Sequence, residues 1–191
     1  MKISGGKFRG RVLLEPKDNR VRPTSDKVRQ AIFNILAHND FGTDFVLEGA
    51  KVIDIFAGTG ALGIEALSRG AIFCLFVDDN AESRALIRNN VEALNLTGMS
   101  KIWRRDGTEL GPIATGAGGP FDLAFLDAPY RQGLTQRALE SLARGGWLAK
   151  NALVIAETAA DESLPAPSEF RLVDTRSYGE SSVHTFGISP T

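Results

Sequence analysis

The stretch from Val52 to Gly63, VIDIFAGTGALG, limits the fold more than any other part of the chain. A short apolar run ends in an acid, Asp54, and glycines follow at 58, 60 and 63. Ile64, Leu67 and Arg69 continue the pattern as a helix. A strand, a Gly-x-Gly-x-x-Gly turn and a helix form a loop that holds a nucleotide-like ligand at the helix N-terminus. Alone, that spacing suits dinucleotides and S-adenosylmethionine equally.

From residue 51 onward, strand and helix patterns alternate. Strands are expected at Lys51–Ile55, Ile72–Val77, Lys101–Trp103, Phe121–Leu126 and Ala152–Ala156, and helices at Ala61–Arg69, Ala81–Leu94 and Gly133–Leu142. Ile72–Val77 is continuously apolar, as in a strand covered on both faces. Gly111–Gly119 reads as a flexible connection, and Arg171–Arg176 with Val183–Ile188 as a closing antiparallel hairpin. Repeated βα units predict a mostly parallel sheet with helices on both faces. Length agrees with a single core, since 191 residues suit one domain with a small appendage.

Acids recur where strands end. Asp78 lies twenty residues after Gly58, where a carboxylate can accept ribose hydroxyls. Asp106 and Gly107 follow the third strand, within reach of an adenine amine. Asp54 separates the two ligand classes: a carboxylate beside the turn repels a pyrophosphate but suits an ammonium or a sulfonium. The candidate cofactor residues are Asp54, Phe56, Ala57, Gly58, Thr59, Gly60, Asp78, Asp79, Asp106 and Gly107. Asp79 either supports Asp78 or opens the next helix.

The second chemical stretch is Asp127, Ala128, Pro129 and Tyr130, directly after the apolar Leu123–Leu126 run. It places a carboxylate, a rigid turn and an aromatic face at the ligand edge of the sheet. An amine attached to a ring is a poor nucleophile because its lone pair is delocalised. Hydrogen bonds from Asp127 and a turn carbonyl can localise that pair, while Tyr130 stacks on the base. A base within folded nucleic acid must first be exposed.

Charge adds a partner. Residues 1–36 carry nine Lys/Arg against three acids, net +6, which leaves −7 for the rest of a chain of net charge −1. A basic arm on an acidic body suits a polyanion. Lys7, Arg9, Arg11, Arg22, Arg29 and, beyond the tetrad, Arg131 are the candidate RNA contacts. Lys7–Leu13 alternates weakly, as in a hairpin. Thr24 or Ser25 can cap a helix whose apolar stripe is Val28, Ile32, Ile35 and Leu36. Lys27 and Arg29 fall off that stripe, towards solvent or ligand. The arm and its helix take residues 1–40 and the catalytic unit 41–191, within one compact body.

One cysteine, Cys74, within an apolar strand, reads as a small buried hydrophobe, and two distant histidines, His38 and His184, make a metal site unexpected. No apolar run reaches membrane-spanning length, and a cytoplasmic monomer is expected.

The tetrad resembles the Asp-Pro-Pro-Tyr/Phe signature of S-adenosylmethionine-dependent amino-methyltransferases. The whole chain resembles the bacterial 16S ribosomal RNA guanine-N2 methyltransferase family, through Ile3–Arg11, Arg22–Arg29, Asp54–Gly70, Asp127–Tyr130 and Gly145–Leu148. The resemblance implies a Rossmann-like class I methyltransferase, with a seven-stranded sheet ending in an antiparallel hairpin. It implies methylation of a guanine N2 in 16S ribosomal RNA within the small subunit. It assigns Asp54 to Gly60, Asp78 and Asp106 to the cofactor, and Asp127 to Tyr130 to the base. Ala128 departs from the signature's first proline, which leaves the turn less restricted. Competing readings are a methyltransferase of adenine N6 or a glutamine side chain, an NAD-dependent enzyme, and an RNA-binding factor without catalysis.

Overall fold

The structure is a computed structural model that describes residues 1–18, 24–38 and 40–191. Arg22 lies outside the described residues. Four helices are named in chain order: α1 (Asp26–His38), α2 (Ala61–Ser68), α3 (Ala81–Ala93) and α4 (Leu134–Arg144). The strands are β1 (Lys51–Ile55), β2 (Phe73–Val77), β3 (Ser100–Trp103), β4 (Phe121–Leu126), β5 (Leu148–Ala159), β6 (Phe170–Tyr178) and β7 (Ser181–Ile188). They form one seven-stranded sheet in the order β3-β2-β1-β4-β5-β7-β6. The first five strands are parallel, and β7 runs antiparallel to both β5 and β6. The order reverses between β1 and β4, where open α/β sheets leave a crevice at the strands' carboxyl ends.

Side chains alternate between two apolar layers. Val52, Cys74, Phe76, Leu123, Phe125, Leu153 and Ile155 face α1, α2 and α3. Ile53, Leu75, Val77, Ala124, Leu126, Val154 and Ala156 face α4 and the segment before β4. The alternation also aims the acids in or just past the carboxyl-end halves of these strands. Asp54, Asp127 and Glu157 fall in phase with Val52, Phe125 and Ile155, on the face covered by α1 and α2. No helix among the described residues is long and apolar enough to cross a membrane.

Two expectations change here. Residues 111–119 are held to the body: Trp147, fully buried, donates its Nε1–H to the Gly111 carbonyl at 2.8 Å, and Ile113 N–H donates to Gly145 at 2.8 Å. Strand β5 begins four residues before its apolar run, because Leu148 pairs with Phe121 across a register shift.

The arm is stapled to α2. It turns back on itself through one antiparallel bridge, Lys2 to Val12, rather than a full hairpin. Glu65, fully buried on α2, accepts from Ser4 N–H at 2.8 Å, Ser4 Oγ at 2.9 Å and Gly5 N–H at 3.1 Å. The same carboxylate pairs with Arg29 at 3.3 Å and Arg69 at 2.9 Å. Asn90, also buried, joins Leu14 of the arm to the carbonyl of Thr59 in the glycine turn.

Candidate active site

The glycine turn is built by steric demands at both ends. Gly60 caps α2 with φ of 81°, left-handed backbone that side chains disfavour. A Cβ on Gly63 would lie 2.4 Å from the Phe76 ring and 2.6 Å from Cys74 Sγ, so only glycine lets α2 sit this close to β2. Phe56, also left-handed at φ of 58°, opens the turn.

Asp54 sits behind this turn. It is 1% exposed, and its Oδ2 accepts from Gly63 N–H at 3.0 Å. Burial, with a smaller contribution from Asp78, pushes its pKa up to about 8 despite the Gly63 hydrogen bond. In the free protein near neutral pH it is therefore mostly the neutral acid, and its visible work is to clamp the N-terminus of α2 to β1.

The other acids open forward. Asp78 accepts from Gly58 N–H and Asn80 N–H, each at 2.9 Å. Burial raises its pKa, against those two hydrogen bonds. Asp106 is exposed, and Thr108, through its hydroxyl and its N–H, holds its pKa below the usual carboxylate range.

A cavity of about 470 Å³ brings Phe56, Gly58, Asp78, Asp79 and Asp106 together with all four of Asp127, Ala128, Pro129 and Tyr130. Asp54, Ala57 and Thr59 line a smaller adjoining hollow of about 50 Å³, which also touches Asp127. Gly107 packs behind, where a Cβ would meet Ile55 at 2.4 Å.

The tetrad is held by partners that sequence reasoning missed. The Thr24 hydroxyl, ahead of α1, donates to Asp127 Oδ2, while Ser25 caps the helix by accepting from Val28 N–H. The Tyr130 hydroxyl donates to Glu157 Oε1 and lies 2.7 Å from Ser181 Oγ. Burial and the neighbouring Glu157 carboxylate push the Asp127 pKa well up. Burial and the bond to Glu157 also raise that of Tyr130. Glu157 had a signal in the sequence: like Asp127, it directly follows an apolar strand run. Thr24 had none, because its partner is 103 residues away.

Among the arm's cations, Lys7, Arg9 and Arg11 are exposed, and Lys7 Nζ lies 5.4 Å from the Phe8 ring centroid. Arg29 is not a surface residue. It is 1% exposed and pairs with Glu65 and with Asp26 at 2.9 Å, so RNA does not reach it. The helical stripe misleads here because the arm covers the helix's polar side. Arg131 is exposed and pairs with Asp161 at 3.0 Å.

A parallel sheet with reversed order, closed by an antiparallel hairpin and carrying acids around a glycine turn, has close counterparts. The chain belongs to the conserved hypothetical protein 95 family. The family match runs over residues 1–187. The ribosomal RNA small subunit methyltransferase D of Escherichia coli K12 is 36% identical over 173 residues, 86% of this chain and 78% of that protein. YlbH of Bacillus subtilis, provisionally named an rRNA methyltransferase, is 33% identical over 165 residues, 86% of each chain. The solved yhhF of E. coli, provisionally described as a methyltransferase, superposes with a TM-score of 0.82 at 29% identity, covering 99% of this chain and 98% of its own.

The fold is that of class I methyltransferases, and S-adenosylmethionine is the cofactor. The residues present fit it. Asp78 and Asp106 offer carboxylates to hydroxyl and amine donors, Phe56 and Leu134 offer apolar surface, and the cavity has room for a ligand of that kind.

Proposed function

We propose that this protein transfers a methyl group from S-adenosylmethionine to the exocyclic N2 of a guanine in small-subunit ribosomal RNA. The observation that carries the reading is the single cavity in which Asp127 and Tyr130 share a wall with Asp78 and Asp106. An acceptor for an amine thereby stands beside acceptors for a cofactor. The names of the relatives from E. coli and B. subtilis support an rRNA substrate.

When bound, S-adenosylmethionine supplies an electrophilic methyl group and leaves as S-adenosylhomocysteine. The protein's share is positioning and polarisation. Asp127 accepts from the N2 amine and concentrates its lone pair, and as the nitrogen gains the methyl it passes one proton to the Asp127 carboxylate. Thr24 aims Asp127, and Tyr130, anchored through its hydroxyl, presents its ring to the base. These bonds compensate for Ala128, because they hold the turn from both ends without the first proline. Lys7, Arg9, Arg11 and Arg131 contact phosphates and set the register of the RNA.

The test is methyl transfer from labelled cofactor to small-subunit particles, naked rRNA, DNA and protein. Label in N2-methylguanosine of the particle or its RNA supports the reading, whereas label confined to DNA or protein ends it.

A further inference from the structure

The mechanism above uses the buried Glu157 only as the anchor of the Tyr130 hydroxyl. Glu157 lies within β5 next to Asp127, because Leu126 pairs with Ala156 in the parallel register. It is 4% exposed and lines the same cavity. Its Oε1 is held by the Tyr130 hydroxyl and its carboxyl group lies within hydrogen-bond reach of that of Asp127, but no donor among the described residues meets its Oε2. A buried carboxylate oxygen left so is costly unless a ligand completes it. Among the described residues no three His, Cys, Asp or Glu side chains gather as a cation site, so a metal ion is a poor candidate for that ligand.

We infer that Glu157 is a specificity-determining residue whose carboxylate accepts the N1–H of the target base while Asp127 accepts its N2–H. This rests on the guanine-N2 reading and deepens it. The two carboxyl groups form a double acceptor, and the Watson–Crick edge of guanine carries two adjacent donors at N1 and N2. Adenine offers a donor at N6 beside a lone pair at N1, and a glutamine amide offers a donor beside a carbonyl oxygen. Either would set a lone pair against Glu157. Sites built to hydrogen-bond a donor reject analogues that lack it, since their own polar group is left unmatched. Tyr130 then has a second task, because its hydroxyl fixes which oxygen of Glu157 faces the base.

The test compares small-subunit particles carrying guanine or 2-aminopurine at the methylated position. The analogue keeps the N2 amine and replaces N1–H by a lone pair. The wild-type protein is expected to prefer guanine by on the order of 100-fold in kcat/KM. Glu157→Gln can turn an N–H towards that lone pair, so its preference should fall to within about tenfold. If the variant is too slow, the same ratio is read from binding of the two particles in the presence of S-adenosylhomocysteine, which also reports an intact cofactor site. Wild-type methylation of guanine N2 with an unchanged ratio in Glu157→Gln overturns the assignment of Glu157 alone. Absence of methyl on guanine with the wild-type protein overturns the guanine reading and this assignment with it.

Discussion

Replacing Glu65 by Gln tests how the arm is joined to the body. Five donors converge on this one carboxylate, from Ser4, Gly5, Arg29 and Arg69. Glutamine matches its volume, so no cavity is opened and the charge is the main loss. Among the described residues the change leaves the buried Arg29 guanidinium with the exposed Asp26 as its one charged partner, beside the Lys2 carbonyl and the new amide. Removing one partner of a buried ion pair costs roughly 3–5 kcal/mol. Because the amide keeps one acceptor oxygen, about 3 kcal/mol is expected. For a chain of this size that corresponds to a fall of roughly 6–12 °C in Tm. Burial alone would raise the Glu65 pKa, but the Ser4 and Arg69 hydrogen bonds outweigh it and the net shift is down. The stabilisation by Glu65 is therefore present above its ordinary value of 4.5 and lost as pH falls through the lower folded value. Calorimetry at pH 7 and again below pH 4 should show a wide gap between wild type and variant that narrows in acid. A gap under about 1 kcal/mol at pH 7 would refute the view that this carboxylate ties arm, α1 and α2 together.

Three further outcomes follow from the same geometry. Replacing Arg9 and Arg11 by Gln should weaken RNA binding and flatten the plot of log K against log salt by roughly 1.5, with cofactor affinity unchanged; an equal slope in binding titrations would make the arm purely structural. Asp54, held near pKa 8 in the free fold, favours folding when protonated, an advantage present below the usual carboxylate value and lost as pH rises through about 8. A nearby sulfonium would favour its ionised form, so affinity for S-adenosylmethionine should rise from pH 6 to 9 more steeply than for S-adenosylhomocysteine; parallel calorimetric titrations would show that Asp54 serves the turn alone. Gly63→Ala puts a Cβ 2.4 Å from the Phe76 ring, and denaturant melts should show a loss of about 1–3 kcal/mol, with wild-type stability counting against the packing argument.

The placement of strands and helices along the chain was readable because the βα units carry continuous apolar runs bounded by glycine and acid, whereas the order of the strands in the sheet came only from the structure. The strand-end position of Asp78, Asp106 and Asp127 was readable too. The side chain's direction was harder. Asp54 follows an apolar residue like the others, but period-2 alternation turns it under α2, and that depends on which face each helix covers. Arg29 shows the same limit, since nothing local says that residues 2–5 will fold over its side of α1. Thr24 became visible only once β4 and the start of α1 were neighbours, 103 positions apart, and the pairing of Glu157 with Asp127, 30 positions apart, only once β4 and β5 lay side by side. Helical and strand periods report on local burial, whereas these contacts depend on chain topology.

The most direct measurement is mass mapping of methyl groups on small-subunit rRNA from cells with the intact protein, without it, and with Asp127→Ala. The account predicts one N2-methylguanosine that is present with the intact protein and missing from the other two. An identical methylation pattern in all three, or a missing methyl that maps to adenine N6, would contradict it.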